Sequence, residues 1–157
     1  MFSSTYKRQL ILFFMLFSFS VYNVNAQTNN FNKSLADSLG ADDYGMKMYV
    51  LVMLKTGPAT VTEKAKRDSI FGGHLQNIKR LADEGKLVVA GPMQENDKNY
   101  EGIFILNVKT TAEAKALLDT DPAIRAQLLA TELYGWYGSA ALPLYLPQSK
   151  KIAKKSF

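Results

Sequence analysis

The sequence predicts an α+β domain in which four strands and two helices follow one another as β-α-β-β-α-β. Three observations predict it. Short β-prone runs alternate with longer runs whose apolar residues recur at three- to four-residue spacing. Glycines and Gly-Pro pairs punctuate the chain where strands and helices should stop. The length of 157 residues, 47% hydrophobic and 21% charged, suits one core better than two. The element order is the split βαβ arrangement of ferredoxin-like folds, with the helices on one face of an antiparallel sheet.

Residues 1–26 read as a secretory signal peptide. Lys7 and Arg8 close a positive n-region, Leu10 to Phe19 form an apolar h-region, and Val24-Asn25-Ala26 offers small residues for cleavage before Gln27. The apolar stretch is about half of the ~20 residues that spanning a bilayer requires. The expectation is therefore a cleaved leader and a secreted or periplasmic protein with no stable membrane anchoring. Residues 27–46, rich in Asn, Asp, Ser and Gly, read as a flexible lead-in with one short helical turn around Ser34–Leu39.

The domain proper is expected over residues 47–146. Lys47–Lys55 is a strand ended by Gly57-Pro58. Thr62 to Glu84 is a helix, capped by Thr60 or Thr62 and stopped by Gly85. Its apolar face is Ile70, Ile78 and Leu81, joined by Phe71, Leu75 and Ala82. Leu87–Ala90 is a second strand stopped by Gly91-Pro92, and Gly102–Val108 is a third. Thr110 or Thr111 caps a helix over Ala112–Leu118. Asp121-Pro122 begins a short helical turn, and Leu129–Tyr137 is the fourth strand. Residues 147–157 read as a basic, solvated tail.

The formal net charge of +5 resides in the ends. Lys7 and Arg8 belong to the leader, and Lys150, Lys151, Lys154 and Lys155 to the tail; without them 13 basic residues face 14 acidic ones. No nucleic-acid-binding face is expected. The absence of cysteine excludes a disulfide framework, a thiol nucleophile and Cys-ligated metals, and a single histidine excludes multi-histidine metal motifs. No GxGxxG, P-loop, HExxH or GxSxG pattern occurs, so no cofactor and no metal is expected. The strands supply one further expectation. YVLVML, LVVA and IFIL are apolar at both alternating positions, whereas a sheet with one wet face should alternate. Two helices cover one face, so a second copy packed sheet to sheet, a homodimer, is expected to cover the other.

His74 lies four residues after Ile70 and four before Ile78, on or beside the apolar face of its helix. It fits either a hydrogen-bonded core histidine or a proton-transfer group. Gly72-Gly73 precede it, at a cost of roughly 1 kcal/mol each relative to alanine. Such a cost is kept where something must approach the backbone closely, or where a helix kinks. Asp121 before Pro122 is equally well a plain helix cap. Gly91-Pro92 fits a strand terminator, and Trp136 a core or interface aromatic.

Taken together, HLQNIKRLADEGKLVVAGP, GIFILNV, TTAEAKALLDTDPAI and LYGWYGSAAL resemble the YCII-related (YciI-like) family, in order from about Lys47 to Leu142. The resemblance implies a dimeric α+β barrel with a small cavity at the sheet–helix boundary and a small-molecule ligand. It implies that His74 and Asp121 face each other there as a catalytic pair, with Gly91, Pro92 and Trp136 as substrate-contacting candidates. One branch of the family removes HCl from a chlorinated hydroxyquinol ring. DPAI stands here where many members carry an aromatic after the DP pair, which implies a different pocket shape. A cofactor-independent lyase- or isomerase-like enzyme, a non-catalytic dimeric ligand-binding module and a purely structural role remain the three readings.

Overall fold

The computed structural model describes residues 30–155. Every element below lies in one compact unit that begins at Lys33. The leader expected over residues 1–26 lies outside the described residues. In chain order the elements are α1 (Lys33–Leu39), β1 (Met46–Thr56), α2 (Lys64–Asp83), β2 (Leu87–Pro92) and β3 (Tyr100–Leu106). They continue with α3 (Thr111–Leu118), α4 (Pro122–Arg125), β4 (Leu129–Ser139), a 3-10 turn (Leu142–Tyr145) and α5 (Leu146–Ile152). The four strands form one antiparallel sheet in the order β2-β3-β1-β4. This is the ferredoxin-like α+β arrangement that the element order predicted.

Side chains alternate across the sheet, so the register assigns each to a face. Val50, Val52 and Leu54 of β1 pair with Leu106, Phe104 and Gly102 of β3. Together with Leu81 of α2 and Leu118 of α3 they form the core between sheet and helices. Leu51 and Met53 pair with Ile105 and Ile103 on one side and with Tyr134 and Glu132 on the other. These residues point away from the core and line the second face.

The ends of α2 and α3 follow local chemistry. Gly85 takes φ +67, and its N–H and that of Lys86 close on the carbonyls of Ala82 and Leu81. This double closure ends α2 through a left-handed residue that favours glycine. At the start of α2 the threonine cap expected from sequence does not form. Glu63 occupies the cap position without a side-chain bond, and the helix begins at Lys64. Thr110 caps α3 in a full capping box: Oγ1 accepts from the Glu113 N–H, and the Glu113 carboxylate accepts from the Thr110 N–H. Thr110→Ala should cost about 1 kcal/mol, read as a small fall in melting temperature.

Other boundaries differ from the sequence reading for physical reasons. Gly91-Pro92 lies inside β2 rather than beyond it. β2 is an edge strand, where a missing proline N–H can face the unpaired side. Phe71 and Leu75 are exposed, because the buried stripe of α2 runs through His74, Asn77 and Leu81. The lead-in ends in an ordered turn, with Asp42 Oδ1 accepting from the N–H groups of Tyr44 and Met46 just before β1. The basic tail forms α5, whose Lys150 meets Asp83 at 2.8 Å, while Tyr145 donates to the Val88 carbonyl. Lys150 and Lys79 together hold the Asp83 carboxyl down at about 2. That pair is exposed, and exposed pairs contribute little. Truncation after Gln148 should leave the melting temperature nearly unchanged, as calorimetry can check.

Candidate active site

A twenty-residue helix brings the site's histidine to the domain's short DP turn. α2 runs unbroken through Gly72-Gly73, so the pair marks no kink. A Cβ built on Gly73 would stand 2.9 Å from Pro122 Cγ, whereas one on Gly72 would meet nothing within 4 Å. The close approach is thus between α2 and Pro122, and only Gly73 requires it. Gly72→Ala should raise stability by about 0.5–1 kcal/mol through helix propensity alone. Gly73→Ala should lose that gain to the clash and disturb the next residue, His74. Thermal melts of the two variants, differing in sign, check this.

Beyond Gly73, His74 is 8% exposed and Asp121 fully buried. The Asp121 carboxylate performs two tasks with two oxygens. Oδ1 accepts from the N–H groups of Ala123 (2.9 Å) and Ile124 (3.4 Å), capping α4 behind Pro122. Oδ2 accepts from His74 Nδ1 at 2.8 Å and from Asn77 Nδ2 at 3.2 Å. The helix cap and the histidine partner, alternatives in the sequence, are one residue. Burial pushes the Asp121 carboxyl up, but the hydrogen bond and charge of His74 and the Ala123 and Asn77 donors outweigh it and hold the group below its ordinary value.

An ionised carboxylate only accepts, so His74 Nδ1 carries a proton. The neutral imidazole therefore holds its lone pair on Nε2. Nε2 has no hydrogen-bond partner among the described residues and is not a sealed, orphaned atom. The ring is set by Phe104, stacked at 6.1 Å and 25°, and by Phe71, edge-on at 6.2 Å and 86°. An oriented imidazole with an available Nε2 and a buried carboxylate behind Nδ1 can take a proton and stabilise the cation that results. Among the described residues no group of three His, Asp or Glu side chains could hold a metal ion.

Sequence reasoning missed Asn77, Arg80 and Thr120. Asn77 is buried, and its Oδ1 accepts from Arg80 Nη2 (2.7 Å) and Thr120 Oγ1 (3.1 Å). Arg80 also reaches Thr120 Oγ1 and Glu84. The available signal was spacing: His74, Asn77 and Arg80 recur every third residue along one stripe of the helix, buried at His74 and Asn77 and exposed at Arg80.

The other candidates scatter. Pro92 pairs with Gly102 and shares the helix-covered face with Phe104, whereas Gly91 pairs with Ile103 on the opposite face. Trp136 pairs with Tyr49, its indole tilted against that ring at 5.6 Å and lying over Gly138. It is therefore on the second face of the sheet, with the sheet between it and the His74–Asp121 pair.

Comparison with known proteins places this geometry. The YCII-related domain model matches residues 48–136, from β1 through most of β4, with His74, Asn77 and Asp121 inside. Protein YciI of Escherichia coli O6:H1 is 35% identical over 68 residues, 39% of this chain and 69% of that protein, and protein YciI of Shigella flexneri matches to the same extent. The chain is also similar to the solved structure of 5-chloro-2-hydroxyhydroquinone dehydrochlorinase from Burkholderia phenoliruptrix in complex with 2,5-dihydroxybenzoquinone. That likeness has 23% identity and a TM-score of 0.40, over 57% of this chain and 93% of the other. With a family model covering more than half its length, the chain belongs to the YCII-related domain family.

Proposed function

We propose that this protein is a cofactor-independent enzyme that moves a proton on a small molecule, in an elimination or isomerisation, with His74 Nε2 as general base. Asp121 is the carboxylate that orients the ring and stabilises its cation. The observation that carries this reading is the 2.8 Å contact between His74 Nδ1 and a buried carboxylate, with Nε2 left available. Family membership and the two aromatic rings against the imidazole make cyclic and aromatic compounds the first to try.

The test is deuterium transfer. The purified protein in D2O is offered a panel of hydroxylated and halogenated ring compounds, with exchange and halide release followed by mass spectrometry and ion chromatography. Turnover should fall by about two to four orders of magnitude in His74→Gln, the range general base catalysis supplies. Compounds that bind without exchange or elimination, equally well to the wild type and to His74→Gln, would make the protein a binding module instead.

The working form in this reading is an exported homodimer. Its support is the second face of the sheet, where Leu51, Met53, Ile103 and Ile105 stand half-buried with Tyr134 and Trp136, on the side away from the core that α2 and α3 cover. Export rests on the leader sequence, and mass spectrometry of the exported product should show a mature start near Gln27. Among the described residues no helix is long and apolar enough to cross a membrane.

A further inference from the structure

We infer that Asn77 is a positioning residue that sets the proton affinity of His74 by acting on Asp121. The two residues donate to one oxygen: Oδ2 of Asp121 accepts from His74 Nδ1 at 2.8 Å and from Asn77 Nδ2 at 3.2 Å. The carboxylate does not need Asn77 to hold its orientation, because Oδ1 is already fixed by the Ala123 N–H at 2.9 Å. What the amide adds is competition. A second donor on the same oxygen draws off part of the negative charge that would otherwise stabilise the imidazolium.

The amide is held in the one orientation that allows this. Its Oδ1 accepts from Arg80 Nη2 (2.7 Å) and Thr120 Oγ1 (3.1 Å), so a flipped amide would set its NH2 against the guanidinium. Thr120 Oγ1 accepts from Arg80, and its single proton is shared between the Asn77 oxygen and the Leu117 carbonyl, so Arg80 is the firm anchor of the amide. Arg80 is braced in turn by Glu84 at 2.8 Å. The charged groups that bear on the network are Asp121, from the turn before α4, and the Arg80–Glu84 pair on α2. From the sheet, β3 presents Phe104 to the imidazole. One stripe of α2 thus supplies the base, the group that tunes it and the anchor of that group.

The inference rests on His74 being the working base, but its test needs no substrate. The single histidine of the chain gives an unambiguous NMR titration. Asn77→Leu keeps the volume and removes the competing donor, so His74 should titrate higher than in the wild type by about half a pH unit or more. Asn77→Asp still accepts from Arg80 and Thr120, which preserves the local packing, and replaces the donor with negative charge. It should move the midpoint in the same direction and further. A midpoint that is unchanged or lower in the folded variants would overturn the inference and reduce Asn77 to packing. Such a result leaves the deuterium-transfer reading intact, and failure of deuterium transfer leaves the titration result standing, so the two fail separately.

Discussion

Asp121→Asn is expected to leave the chain folded and to take away the base proposed for it. The new side chain still offers an oxygen to the Ala123 N–H, so the cap on α4 survives. Where Oδ2 stood there is now an NH2, facing His74 Nδ1 at 2.8 Å and the Asn77 amide at 3.2 Å, both donors in the wild type. His74 can relieve its side of the conflict by changing tautomer, with Nδ1 accepting and Nε2 carrying the proton. An imidazole protonated on Nε2 in its neutral form cannot act there as a base, and turnover should fall by roughly three to four orders of magnitude. Asn77 cannot relieve its side, because Arg80 and Thr120 hold its oxygen, and one unmatched donor costs about 1–3 kcal/mol.

Two readouts check the Asp121→Asn variant independently of any substrate. Nitrogen-15 shifts of the one imidazole should report the inverted tautomer, and His74 should titrate lower than in the wild type because its counter-charge is gone. The stability profile carries the sign of the carboxylate. A folded-state value below the ordinary one means that Asp121 stabilises the fold above the unfolded-state value. That contribution is lost as the pH falls through the folded-state value. The variant should lack this acid-side loss. An unchanged His74 titration would remove the pair as the basis of the proposed chemistry.

The parts of the fold legible in the sequence were those written in local chemistry. Apolar runs between glycines gave the strands and their order; Gly85 ends α2 through the left-handed backbone that glycine permits, and Thr110 begins α3 through its hydroxyl. Of the site, the histidine, the DP pair and the Gly72-Gly73 signal were legible, but their connection was not. The cost of glycine in a helix points to a close approach without saying what approaches, and here it is Pro122 behind Gly73 alone. Asn77 escaped because a polar residue at helical spacing looks the same whether it faces water or a buried carboxylate. Phe71 and Leu75 join the apolar face by spacing yet stand exposed, because a face inferred from spacing can turn by one residue. The solvated tail expected over residues 147–157 starts instead as a helix, with Pro147 in the first turn of α5, where its missing N–H costs nothing.

The largest effect on assembly is expected from a charge on the second face of the sheet, and the register says where to put it. Val50 and Leu51 are neighbours in β1 with opposite outlooks. Val50 is fully buried beneath the helices opposite Leu106, while Leu51 stands half-buried between Ile105 and Tyr134 on the second face. Val50→Glu should unfold the domain, since it places an unpaired carboxylate in the core. Leu51→Glu should leave the monomer folded and break the proposed dimer, because two-fold symmetry enters the charge twice. Both lysines of that face are engaged: Lys55 is paired with Glu132 at 2.8 Å, where Tyr134 donates to the same carboxylate, and Lys47 donates to the Leu39 carbonyl. Desolvating even one such charge costs several kcal/mol, so the dissociation constant should rise by at least about a hundredfold. Light scattering and sedimentation across a dilution series read this directly, with circular dichroism to confirm that the variant is folded. A wild-type chain that stays monomeric at high concentration, or a Leu51→Glu dimer as tight as the wild type, would show that a second copy does not cover this face.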